Sequence, residues 1–141
     1  MAYYFHGRYH QLSNFYAAGF QKNGKRWPTA EHYFQAMKFK GVDEDYVEKI
    51  RRAKTPWLAK RMGKTRKVSI RWNWRVIKEK VMYEALKLKF ANPAMREALL
   101  RTKKQTLIED THDRYWGIGK NEDGQNRLGI LLMRLRRELM K

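Results

Sequence analysis

Between Thr29 and Phe39 the apolar residues Ala30, Tyr33, Phe34 and Met37 recur at intervals of three and four. That is the period of an α-helix with one buried face. Thr29 supplies an N-cap after Pro28, and the pattern predicts a helix to about Lys40. A charged helix follows over residues 43–53, and a short one runs from Pro56 to about Met62. After Asn73, read as the cap, Trp74, Ile77, Val81, Ala85 and Leu88 keep the helical spacing to about Ala91. Pro93 opens a helix to about Arg101, and residues 127–140 form an amphipathic final helix. The segments Tyr3 to Phe5, Phe15 to Phe20, Lys25 to Trp27 and Thr106 to Glu109 read as short strands, with an Asn23-Gly24 turn between the second and third. Residues 113–125 form a loop with glycines in and beside it. The expected class is α+β and mostly helical, one domain spanning 1–141 with a small N-terminal β element.

The polar positions of the first helix change this picture. Glu31, Gln35 and Lys38 stand at i, i+4 and i+7 and share an arc of about 60° beside the apolar face. A carboxylate, an amide and an amine in line are either a solvated helix edge or the parts of a proton-handling site. On the long helix, Lys89 falls in the arc of Met82, Ala85 and Leu86. There it either snorkels to water or reaches a ligand phosphate.

Composition narrows the chemistry. The 141 residues carry 32 Lys+Arg against 14 Asp+Glu, a formal charge of +18, which steers anionic partners toward the surface. The absence of cysteine excludes disulfides, thiolate nucleophiles and thiolate metal sites. His6 and His10 are too isolated for a metal site, so no metal or cofactor is expected. No apolar stretch approaches the length of a membrane span, and the expected setting is cytoplasmic, away from membranes.

Five separated blocks carry a resemblance. They are Leu12-Ser13-Asn14-Phe15-Tyr16, the run from Trp27 to Phe39, Lys89-Phe90, the segment Asp113 to Gly119, and Gly124-Gln125-Asn126-Arg127-Leu128-Gly129 with the helix after it. In this order they resemble the NADAR (YbiA-like) family over nearly the whole chain. The chain departs from the family's usual Gly-Arg at Gly63-Lys64 and from its usual Thr-Gly at Thr102-Lys103.

The resemblance implies a metal-independent N-glycosidase acting on a ribosyl C–N bond. The bond lies either in a ribosylamino-pyrimidine phosphate of riboflavin biosynthesis or in ADP-ribose on the exocyclic amine of guanine in nucleic acid. It points to Glu31, Lys38 and Asp113 as catalytic residues. Glu31 or Asp113 handles the proton, and the Lys38 amine is placed to capture C1′ as a Schiff base. Asn14, Phe15, Gln35, Lys89, Trp116, Gly117 and Asn126 are the expected substrate contacts. For Asp113 an Asx turn, for Trp116 a core plug and for Asn126 a helix cap are the competing structural roles. The competing function is a non-catalytic basic nucleic-acid-binding module, with Trp72 as a stacking platform.

Overall fold

A computed structural model describes residues 1–7 and 10–141. Its elements are β1 (Ala2–Phe5), β2 (Phe20–Lys22), β3 (Lys25–Trp27), α1 (Ala30–Met37), α2 (Glu44–Arg51), α3 (Pro56–Gly63), α4 (Trp74–Lys89), α5 (Pro93–Leu100), β4 (Thr106–Glu109) and α6 (Arg127–Leu139). The α+β, mostly helical class follows directly. Among the described residues, no helix is long and apolar enough to cross a membrane. The chain divides into two compact units, Ala17–Lys89 and Met1–Tyr16 with Phe90–Lys141.

In the unit Ala17–Lys89, β2 and β3 form an antiparallel hairpin pairing Phe20 with Trp27. Asn23 and Gly24 both have positive φ, 53° and 75°, the twist that a two-residue hairpin turn requires. The second strand is shorter than its apolar pattern predicts. Ahead of it, in the other unit, Asn14 to Tyr16 is turn and bend: Ser13 Oγ accepts from Phe15 N and the Ser13 carbonyl from Tyr16 N, which uses these groups locally.

Helix α1 is the centre of this unit, packed by β3, α2, α3 and α4, and all eight of its residues are buried. Thr29 Oγ caps it by accepting from His32 N at 3.1 Å. The helix stops at Met37, three residues before the predicted end. Lys38, Phe39 and Lys40 donate to carbonyls three residues back, tightening the last turn before Gly41 at φ 81°.

His32 is buried beside that cap. Its Nδ1 lies 2.8 Å from the Thr29 hydroxyl and its Nε2 2.9 Å from the Ala53 carbonyl. The network assigns a neutral ring that donates through Nε2, and burial pushes its pKa below the ordinary value, with the Ala53 bond opposing.

Helix α4 turns differently from its predicted stripe. Trp74 and Ala85 are buried, but the rest of the covered face is Met82, Tyr83, Leu86 and Lys89, while Ile77, Val81 and Leu88 are half-exposed.

In the other unit, the opening strand does not join the hairpin. β1 pairs in parallel with β4, Tyr3 opposite Leu107 and Phe5 opposite Glu109, and α6 packs on β4 and α5. Arg136, in the last turn of α6, is buried. It donates to Thr102 Oγ1 at 2.8 Å and to the Gln105 carbonyl at 2.8 Å, so it clamps the turn after α5 as well as facing a helix C-terminus.

That turn holds Lys103 at φ 52°, a left-handed conformation which costs a side chain about 1 kcal/mol and glycine nothing. Lys103→Gly is therefore expected to stabilise the protein by about 0.5–1 kcal/mol, read as a raised urea midpoint at unchanged m-value. An unchanged or lowered midpoint contradicts this account of the turn.

Candidate active site

The polar arc of α1 is not a solvated edge. Glu31 is 7% exposed and Gln35 5%, and Lys38, just past the helix end, is half-buried. The arc is covered because α1 has neighbours on every side. Gln35 Nε2 donates to Glu31 Oε2 at 2.6 Å, a short charge-assisted bond that fixes the carboxylate. Gln35 Oε1 is buried with no partner.

Lys38 Nζ donates to the Gly63 carbonyl at 3.3 Å, at the C-terminus of α3 where the helix dipole favours a cation. Nζ also lies 6.0 Å from the centre of the Phe34 ring. Burial is the main cause that pulls the Lys38 pKa below the ordinary lysine value. Glu31 opposes this, and Lys64, Lys60 and Lys78 add to it. An amine so placed is more often neutral and nucleophilic than one in water. A buried carboxylate, an unsatisfied amide oxygen and a softened amine on one face cost stability that ordinary core residues would not, which makes this face the candidate site.

Gly63 makes this face possible. A Cβ there would stand 1.9 Å from Gln35 Oε1 and 3.1 Å from Gln35 Cβ. Gly63→Ala is expected to push the Gln35 amide off Glu31, lowering turnover at least about tenfold for a stability cost of about 1–3 kcal/mol. Full activity in a destabilised Gly63→Ala protein would show that the Glu31–Gln35 bond does not matter to the reaction.

Lys89 lies in the same unit and is 1% exposed, which overturns the snorkelling alternative. Burial alone lowers its pKa to about 7. Trp72, by contrast, is 95% exposed at the start of α4.

The remaining expected residues belong to the unit Met1–Tyr16 with Phe90–Lys141, where the structure gives several of them local work. Asp113 Oδ1 accepts from Tyr115 N at 2.8 Å and Trp116 N at 2.7 Å, an Asx turn that occupies one carboxylate oxygen. Trp116 is half-buried and packs edge-on to Tyr115 at 4.8 Å. Asn14 is buried and Phe15 half-buried in their turn.

Gly117 does not leave room for a ligand on its Cα. A Cβ would meet Thr111 Oγ1 at 2.3 Å and the Glu109 carbonyl at 2.9 Å, so the loop's own atoms need the space. Asn126 does not cap α6 with its side chain. At φ 50° it turns back onto β4, Oδ1 accepting from Glu109 N and Nδ2 donating to the Leu107 carbonyl, both at 2.9 Å. The sequence reading missed this staple. Its signal was Gly129, three residues on, where a Cβ would sit 2.1 Å from the same Leu107 carbonyl and 2.5 Å from the Asn126 amide.

Comparison with known proteins gives both the class and the family of this chain. The NADAR domain model matches residues 3–140, and the chain belongs to that family. It is 50% identical to the N-glycosidase YbiA of Escherichia coli (strain K12) over 133 residues, 93% of this chain and 82% of that protein. The NMR structure of the E. coli protein YbiA superposes with a TM-score of 0.87 at 46% identity, covering 99% of this chain and 84% of that one. The chloroplastic riboflavin biosynthesis protein PYRR of Zea mays is 44% identical over 124 residues, 81% of this chain and 20% of that protein. The chain is a glycosidase-type hydrolase.

Proposed function

We propose that the bond cleaved is a ribosyl C–N bond in a ribosylamino-pyrimidine phosphate of riboflavin biosynthesis, without a metal or other cofactor. The observation that carries this reading is the Glu31–Gln35 bond within a buried face that also holds the Lys38 amine. The name of the maize relative, a riboflavin biosynthesis protein, supports a substrate from that pathway.

An N-ribosyl amine opens to an imine when its ring oxygen is protonated. The neutral Lys38 Nζ adds to C1′, the amino-pyrimidine leaves with a proton, and a Lys38 iminium remains. Water adds to that iminium, and its collapse returns the amine and releases ribose phosphate as the aldehyde. Glu31 passes the protons in each half, and Gln35 holds Glu31 in place. Asp113 is the weaker candidate for that proton, because one of its oxygens serves two backbone amides. Lys89, Asn14, Phe15, Trp116, Gly117 and Asn126 are the proposed substrate contacts. For Gly117 and Asn126 only backbone atoms are meant, since the loop fills the space at Gly117 and the Asn126 amide is engaged on β4.

A second substrate, ADP-ribose on guanine in nucleic acid, is favoured by the +18 charge and by exposed Trp57 and Trp72, the former with the Lys60 ammonium 6.0 Å from its ring centre. Incubation with each substrate in parallel separates the two. Release of ribose phosphate with no attack on the modified DNA supports the first reading, and the converse supports the second. Salt-sensitive DNA binding without release of either product points instead to a non-catalytic binding module.

A further inference from the structure

The face of α1 opposite Glu31 borders a cavity. Tyr33 and Met37 stand about 200° and 240° around the helix from Glu31. With β2, β3 and α4 they line a cleft of about 440 Å³, within the range of small-molecule sites. Five cations reach it from separate segments: Lys22, Lys25, Lys40, Arg71 and Lys80.

Among the described lining residues two are carboxylates, and both are engaged. Glu84 accepts from the Tyr33 hydroxyl and faces Lys22 Nζ at 3.9 Å, while Glu44 accepts from Gly41 N at 2.8 Å. Lys25 is drawn to Glu48 at 3.2 Å. Lys40, Arg71 and Lys80 have no carboxylate partner among the described residues, so the cleft holds uncompensated positive charge.

Two further observations concern its walls. Trp27 forms part of them, is 3% exposed, and its indole N–H is buried with no acceptor. A buried donor left unmade costs about 1–3 kcal/mol, which an acceptor arriving with a ligand would recover. Ile77 and Val81 also line the cleft, and this is why the apolar stripe of α4 is only half covered. Cations at the rim, apolar and aromatic walls, and a wall residue with an unsatisfied donor together suit an anion carried on a flat body.

We propose that this cleft is a second ligand site, separate from the Glu31–Lys38 face, for a phosphate monoester on a heterocycle, of the mononucleotide class. The phosphate binds Lys40, Arg71 and Lys80, and the ring lies against the Trp27 and Val81 side with an acceptor for the indole N–H. The site requires no turnover and stands whether or not the catalytic reading does.

The test follows the Trp27 indole signal in ¹H–¹⁵N spectra, assigned with Trp27→Phe, during titration with 5′-AMP and, separately, inorganic phosphate. AMP is expected to move that signal with a saturable curve, more tightly than phosphate, and to do so equally in Lys38→Ala protein. Lys80→Glu and Lys40→Glu, both exposed positions, are each expected to weaken AMP about tenfold or more, the worth of one charge-assisted contact. A Trp27 signal indifferent to AMP overturns the proposal. So does an AMP affinity unchanged by both charge reversals, or inorganic phosphate matching AMP.

Discussion

Lys38→Ala is expected to lower turnover roughly a thousandfold or more while the protein still unfolds cooperatively, because it deletes the proposed nucleophile and not merely a contact. The half-buried ammonium donates to the Gly63 carbonyl, a contact whose loss the fold should tolerate. Borohydride added during turnover is expected to trap a ribosyl adduct on Lys38 in the wild-type chain and none in the variant, by peptide mass. Glu31→Gln should be inactive yet fold, since the amide keeps the shape and loses the proton site.

The acid side of the rate profile should follow the Lys38 amine. Activity rises with pH as that amine deprotonates, and burial moves this limb below the ordinary lysine range. An adduct mapped to another residue, or a Lys38→Ala protein turning over at the wild-type rate, removes Lys38 from the chemistry.

The second large effect concerns stability. Lys89 is fully buried on α4 with its pKa lowered to about 7 from a lysine value of 10.5. Between those two values the unfolded chain holds a proton that the folded chain does not, so stability rises with pH across the window. Below about pH 7 both states are protonated and the penalty is fully present. Each unit of the difference is worth about 1.4 kcal/mol.

Lys89→Met keeps the stem's volume and removes the ammonium, so its stability is expected to lack that rise with pH. Urea unfolding of both proteins at pH 7 and pH 9.5 reads this. Parallel pH dependences would mean that the buried amine carries no penalty. If Lys89 also meets the substrate phosphate, the same variant shows a raised KM.

How much of this was legible follows from what sequence patterns encode. The period of Ala30, Tyr33, Phe34 and Met37 marks a helix, Thr29 marks its cap, and Asn23-Gly24 marks a hairpin, because each is a local preference of the backbone. The spacing of Glu31, Gln35 and Lys38 likewise places them on one face. Periodicity does not report how many neighbours a helix has, and so Glu31 and Lys89 were open to solvated readings that burial overturns. Strand partners were equally hidden: β1 finds β4 some hundred residues on, a pairing that no nearby turn signals. Gly117 and Gly63 show the same limit, since a glycine that admits a ligand and one that admits a neighbouring side chain look alike in sequence.

The Asn126 staple carries a consequence for what that position tolerates. Glu109 presents a donor and Leu107 an acceptor, spaced as a neighbouring strand would meet them, and one carboxamide answers both. Aspartate would turn an oxygen against the Leu107 carbonyl, glutamine would overshoot, and a hydroxyl would answer only half of the pair. The first turn of α6 and the free margin of β4 are thus locked by a side chain acting as a fragment of a third strand. That margin is closed to pairing with another molecule for as long as the asparagine stays in place.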